Sequence, residues 1–340
     1  MAEYLVTVAN QLGLAGKLDE MGNLVAETGP PNAPEIMFLG HMDTVPGQLP
    51  VFLRDGVLHG RGAVDAKGPL AAMLFAAAAA GRSLAARVRV VGAVGEEGDS
   101  AGARHLLDGE EPSAVIIGEP SGVGTVVLGY KGVLRCRLDV TRPAMHPSRP
   151  EPKAVEVAVE FAHDVLAHVA SGAAGGPGPG STRMFDVPIA TVTSLEGDAT
   201  HARVVLACRT PPGFDAAAFR GWLRGRAGAD TLTFLEEVPA VRSTRTDPVV
   251  AALSASVRRH VGPPLAKVKL GTSDMNVVGP VWPVPIAAYG PGDSTLDHSD
   301  EERIVLADFL TSIDVLSDAV RRIAHQLVRR RGVPATGHAT

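Results

Sequence analysis

Cysteine is almost missing: Cys136 and Cys208 are the only two in 340 residues. Two thiols so far apart give neither a disulfide framework nor the close pairing of a thiolate zinc site. They read as buried, reduced side chains of a cytoplasmic protein. Aromatic residues are scarce too, at 4% of the chain against 45% hydrophobic overall, so the core has to be built from Ala, Val and Leu. No apolar run is long enough to span a bilayer; the longest, Pro69 to Ala80, falls well short. The opening stretch MAEYLVTVANQLGLAG has no basic region and no small-residue cleavage site, so it does not read as a signal peptide. An excess of basic charge is also lacking. The formal net charge is −5, which gives no support for binding nucleic acid or an anionic membrane surface.

What is there is glycine, and acidic residues placed at the ends of apolar runs. The length predicts two domains. A helix is expected over Glu3 to Leu14 with Gly16 as its stop, then a hairpin around Gly22-Asn23, then a strand from Glu35 to Leu39. Val51 to His59 reads as a second hairpin, and Pro69 to Ala80 as a helix with proline in its first turn. Strands over Arg87 to Val94 and Ala114 to Ile117 alternate with a short helix from Ser100 to Leu107. Alternation of this kind predicts an α/β sheet whose function sits beyond the C-terminal strand ends.

The style changes after GYKG at 129–132. Val133 to Val140 alternates strictly, and a β-α-β-β-α-β pattern runs to Val238, with a Gly/Pro-rich loop from Ser171 to Ser181. This stretch, 129–245, is expected to be an inserted α+β sandwich carrying a charge of +2, against −7 for the rest of the chain. The α/β style then returns with a helix from Pro248 to Val261, the loop GTSDMN, the loop YGPGDSTLDHSDE and a long helix from Glu302 to Val328. Residues 1–128 and 246–340 together make the discontinuous catalytic domain. RRRGVPATGHAT at the end reads as frayed.

The chemistry concentrates between Gly40 and Gly68. GHMDTVPG places His41 and Asp43 two apart at a strand end, where both face the same way. Asp43 is then set to hold the His41 ring, as ligating histidines require. GRGAVDAKG brackets Asp65 with glycine. Glu96-Glu97, Glu119 and His298 follow in loops beyond later strands. Each alone has a bland reading: a structural histidine, a solvated Glu-Glu pair, a turn. Together at successive strand ends they read as ligands for two Zn²⁺ ions, with one carboxylate bridging and Glu96 left free as a general base.

The motifs GHMDTVPG, GRGAVDAKG, GEEGD, GEPSG, GTSDMN and the final D-H, in that order, resemble the dinuclear-zinc aminoacylase/carboxypeptidase superfamily, which includes acetylornithine deacetylase and succinyl-diaminopimelate desuccinylase. The resemblance covers nearly the whole chain. It implies a zinc-peptidase-like catalytic domain, a mixed sheet flanked by helices, with the inserted segment as lid and dimerisation domain of a homodimer. It assigns His41, Asp65 and Glu119 to one metal and Asp65, Glu97 and His298 to the other, with zinc or cobalt as the ion. By the same match Asp65 bridges, Glu96 is the base, Asp43 orients His41, and the Asp65-Ala66 bond is cis. His146, in AMHPSRP, matches a lid histidine that crosses a dimer interface to polarise the scissile carbonyl. Arg209 matches an arginine near the lid's sheet that binds a substrate carboxylate or else pairs with an acid on the sheet, and Thr272, Ser273, Asp274 and Asn276 are expected to contact substrate, with ordinary turn chemistry as the alternative.

Within the superfamily, GYKG, GTSDMN and YGPGDSTLDHSDEE most resemble the hydrolases that release lysine or ornithine from the C-terminal glutamate side chain of a small acidic amino-group carrier protein. That implies the last step of lysine or arginine biosynthesis. The alternatives are an acetylornithine deacetylase or succinyl-diaminopimelate desuccinylase, and a carboxypeptidase or dipeptidase. A binding module with a dead metal site is disfavoured, because every metal and base position is filled.

Overall fold

The computed structural model describes residues 1–81, 84–175 and 184–330. The chain forms two compact units. One comprises 1–129, 243–268 and 273–340, the other 130–242 and 269–272. The first is α/β and the second α+β, as the two patterns in the sequence predict.

The first unit is built on a mixed sheet. Its order runs from the hairpin strands Ala15–Leu18 and Leu24–Thr28 through Arg87–Ala93, Glu35–His41, Ala114–Ile117 and Ile286–Ala288 to Thr125–Tyr130. Arg87–Ala93, Glu35–His41, Ala114–Ile117 and Ile286–Ala288 run parallel to one another. Their register brings His41 opposite Ala93 and Leu39 opposite Ile117, so neighbouring strands end at the same edge. Every residue of Glu35–His41 is buried, as expected of a strand inside a parallel sheet covered on both faces. The alanine-rich helix Lys67–Ala80 lies in the core with Leu70, Met73, Leu74, Ala76 and Ala77 buried. Small side chains let it share that core with Val315, Leu316, Ala319 and Val320 of the helix Leu306–Arg330.

The second unit is an antiparallel sheet in the order Ile189–Gly197, His201–Thr210, Gly132–Thr141, Thr231–Val238. Leu134, Cys136, Leu138, Val204, Leu206 and Cys208 face the helices Ala154–Ala170 and Ala216–Ala227 across one core. Both cysteines are free and buried. Burial pushes Cys136 up to about 11 and Cys208 up to about 12, which disfavours the thiolate form of both. Asp215 caps the second helix by accepting from the N–H of Ala218 at 2.8 Å. Among the described residues no helix is long and apolar enough to cross a membrane.

Some elements depart from the sequence reading. The first helix ends at Gln11, and the chain reverses at Gly13 (φ +79°), so Gly16 lies in a strand rather than stopping a helix. Residues Arg303–Val305 are a strand, paired with Val57–His59, and the last helix begins only at Leu306. Helical spacing masked a three-residue strand that exists only because a distant hairpin edge is there to pair with it. The GTSDMN loop runs directly into a short helix, Met275–Val278. The Gly/Pro loop from Ser171 extends into 176–183, and the C-terminal tail is 331–340; both stretches lie outside the described residues.

The Gly22-Asn23 turn is tied to the functional edge of the sheet. Asn23, fully buried, donates from Nδ2 to Asp19 at 2.8 Å and to the carbonyl of Gly102 at 3.2 Å, and its Oδ1 accepts from the N–H of Val94 at 3.0 Å. Val94 opens the loop that carries Glu96 and Glu97. Asn23→Ala strands a buried N–H and a buried carbonyl, so it should lower stability by about 1–3 kcal/mol. Urea unfolding of the two proteins checks this; equal midpoints and slopes would show that water replaces the amide without loss.

Candidate metal centre

The parallel strands deliver the acidic and imidazole groups to one edge. His41 ends its strand, Glu96 and Glu97 follow Arg87–Ala93, and Glu119 follows Ala114–Ile117. His298 arrives on the loop after Ile286–Ala288, with φ +61°. Asp65 comes from the Gly60–Gly68 turn that leads into the buried helix. Two of its glycines are required. Gly62 sits at φ +83°, and a Cβ on Gly68 would lie 2.3 Å from the carbonyl oxygen of Ala63. The Asp65-Ala66 peptide bond is cis, as the resemblance implied.

Two groups of ligand atoms result, each with all its atoms within 4.8 Å of one another: His41, Asp65 and Glu119, and Asp65, Glu97 and His298. Asp65 belongs to both. His41 Nε2 lies 3.1 Å from Asp65 Oδ1 and 3.7 Å from Glu119 Oε1. His298 Nε2 lies 3.1 Å from Asp65 Oδ2 and 3.1 Å from Glu97 Oε2. The opposite nitrogen of His41, Nδ1, faces the main-chain oxygen of Asp43 at 3.1 Å and its carboxylate at 3.6 Å. A proton held on Nδ1 by those acceptors leaves Nε2 with its lone pair toward the group.

Asp43 does a second job. Its carboxylate accepts the N–H of Glu96 at 3.2 Å and of Glu97 at 3.1 Å, so it positions the acidic loop as well as the ring. Burial pushes Asp43 upward, but the His41 contact and these N–H groups outweigh it and hold the carboxyl at about 2. Glu96 lies outside both groups, with Oε2 3.9 Å from His41 Nε2. Burial, then the neighbouring Glu119, pushes it well above the usual carboxylate range. Burial and Asp65 push Glu97 the same way.

This donor set fits divalent cations. It is rich in buried carboxylates, two imidazoles complete it, no thiolate intrudes, and the mutual repulsion of the acids is what bound cations relieve.

The remaining expected residues divide between the units. Ser273, Asp274 and Asn276 are buried in the first. Asn276 Oδ1 accepts the N–H of Ser273 at 2.9 Å, and Ser273 Oγ accepts that of Met275 at 3.2 Å, so these two brace their own loop. Burial pushes Asp274 up to about 6 against the pull of His41. Thr272 and Arg209 belong to the second unit, where Arg209 donates to Thr272 Oγ1 at 3.3 Å. His146 is an exposed loop residue of that unit, with Nδ1 2.7 Å from Ser148 Oγ.

The sequence reading missed Glu302. This side chain is 1% exposed, and its Oε1 accepts the N–H groups of Val64 at 2.9 Å and Asp65 at 3.0 Å. Its Oε2 accepts from Arg61 at 3.0 Å. It therefore fixes the backbone of the residue shared by both groups. In the sequence it is the last acid of the run DHSDEE, and nothing there separates it from its solvated neighbours.

A model of peptidase family M20/M25/M40 matches residues 37–322. The chain belongs to this family. The LysW-lysine hydrolase of Deinococcus radiodurans is 38% identical over 343 residues, covering 95% of this chain and 91% of the relative. The LysW-lysine/LysW-ornithine hydrolase of Saccharolobus islandicus is 28% identical over 297 residues, covering 85% and 81%. Among solved structures, an M20 family metallo-carboxypeptidase from Sulfolobus solfataricus superposes with a TM-score of 0.76 at 19% identity, covering 95% of this chain and 94% of that one. The M20 fold seen in the structure is thus shared far beyond the level at which sequences remain alike.

Glu302→Gln keeps the shape but turns an amide donor toward donors. It should weaken metal retention by about 10–100-fold, read by competition with a chromophoric chelator, with the circular dichroism unchanged. Equal retention would mean that the Gly60–Gly68 turn holds its geometry unaided.

Proposed function

We propose that this M20 protein is a metal-dependent amide hydrolase that releases lysine or ornithine from the C-terminal glutamate side chain of a small acidic amino-group carrier protein. The chemistry rests on the pair of ligand groups sharing Asp65, with Glu96 beside them and outside both. The substrate class rests on the names of relatives such as the 38% identical Deinococcus radiodurans protein. His41, Asp65 and Glu119 would hold one ion and Asp65, Glu97 and His298 the other. Nitrogen and oxygen donors in this ratio favour Zn²⁺, with Co²⁺ as substitute. The ions supply Lewis acidity toward an amide carbonyl and make water easier to deprotonate.

The protein's own groups do the rest. Glu96 takes a proton from the attacking water and hands it to the departing amine, a role for which its raised affinity for protons suits it. Asp43 keeps His41 oriented and the Glu96 backbone fixed. Arg209 and Thr272 take the substrate carboxylate, and the 272–276 loop lines the approach. We assign the second unit as a lid through which a cytoplasmic homodimer forms, with His146 reaching into the partner's site.

Glu96→Ala should cut turnover by about 10²–10⁴-fold while metal content stays unchanged; an unaltered rate would remove Glu96 as the base. Mixing it with His146→Ala subunits should restore part of the activity, and no recovery would remove the cross-subunit role.

The substrate is tested by amino-acid release from lysyl- and ornithyl-carrier protein beside acetylornithine at matched concentration. Release from the carrier should be fast, abolished by a chelator and restored by Zn²⁺ or Co²⁺. Turnover of acetylornithine alone would retain the metal chemistry and replace the substrate.

A further inference from the structure

One face of the second unit's sheet packs on its helices; the other is open and carries arginine. On the central strands, Arg135 and Arg137 of Gly132–Thr141 alternate away from the core, as do Arg203 and Arg209 of His201–Thr210. The register sets Arg137 opposite Val205, Arg135 opposite Ala207 and Arg203 opposite Asp139. Residues directly opposed in an antiparallel pair share a face, so all four arginines stand on the same side of two adjacent strands.

The carboxylates on this face do not use up the guanidinium groups. Asp139 is shared, taking Nε of Arg137 at 2.7 Å and Nε of Arg203 at 2.7 Å. Glu236, on an outer strand, lies 3.6 Å from Arg135, and Glu196 faces Arg203 from the other outer strand. Among the described residues no hydrogen bond engages the terminal nitrogens of Arg137 or Arg203, and Arg135 Nη1 meets Glu236 only as a loose ion pair; these side chains are 35%, 48% and 46% exposed. Five donors per guanidinium, with one spent, leave outward forks shaped for carboxylates. Along His201–Thr210, Val205 and Ala207 separate Arg203 from Arg209 on this face.

We propose that this arginine track is the docking surface for an extended acidic segment of the protein substrate. This rests on the carrier-protein reading above and adds where and how the carrier is held. Arg135 and Arg137 are about 6.7 Å apart along their strand, the same repeat at which an extended peptide presents alternate side chains. Acidic residues at every second position would therefore meet successive guanidinium groups. A chain with a net charge of −5 repels an acidic partner in general, and this local track gives it a place to land.

The test pairs Arg135→Glu/Arg137→Glu with the milder Arg137→Gln/Arg203→Gln, each checked for melting temperature and metal content. The probe is a fluorescein-labelled peptide of alternating glutamate and threonine, followed by anisotropy at low and high salt. The wild-type protein should bind it in a salt-sensitive manner, and the charge reversal should weaken binding at least about tenfold. With carrier-linked lysine, KM should rise by a similar factor while kcat holds. Equal peptide affinity in wild type and variants overturns the proposal, as does a change of oligomeric state in the variants, which would make the face a subunit contact. Failure of the carrier-protein reading shows elsewhere, as no amino-acid release by the wild-type enzyme.

Discussion

Crowded negative charge is the constraint on which the first unit depends. Asp65, Glu96, Glu97 and Glu119 converge on His41 and His298 at one sheet edge, and each is partly or fully withdrawn from water. Such a gathering is unfavourable for a protein acting alone. It persists because the surrounding structure leaves the groups nowhere else to go. The parallel strands end in register, the buried alanine-rich helix lets the glycine turn sit close, and Asp43 and Glu302 pin the backbone of the two loops that matter most. Cations then convert repulsion into binding energy, so the fold and the metal centre explain each other.

The division of labour between the carboxylates follows from small differences in setting. Asp65 lies between two imidazoles and can serve both sides. Glu97 faces His298, and Glu119 faces His41. Glu96, next to Glu97 in sequence, stands beside His41 but outside both groups. Asp43 is the least able of them to hold a proton, because His41 and two N–H groups stabilise its charge. Residues of one chemical type thus occupy four distinct settings at one sheet edge.

Much of this was legible beforehand, for a physical reason. Strand periodicity, glycine at tight turns and acids at strand ends are local signals, so the α/β pattern and the acidic and imidazole residues that follow its strands could be read from short windows. Glu302 could not, because its role depends on backbone N–H groups far away in sequence. The strand Arg303–Val305 was hidden for the same cause: its pairing partner is Val57–His59, and local spacing there imitates a helix. Ser273 and Asn276 show a different limit: their side chains hydrogen-bond within the turn that contains them, a local role that residue type alone does not separate from contact with a substrate. The arginines of the open sheet face were visible as alternation, but only the register between strands shows that they stand together.

Glu302 also sets an order of events. The turn that bears Asp65 is completed by a side chain that lies 237 positions later, bonded to the N–H of Asp65 itself. During synthesis the ribosome must release nearly the whole chain before that bond can form. All five candidate ligands precede Glu302 in the chain, so their shared member, Asp65, is made long before the side chain that anchors it. Anchoring of the shared residue therefore waits on the C-terminal part of the first unit.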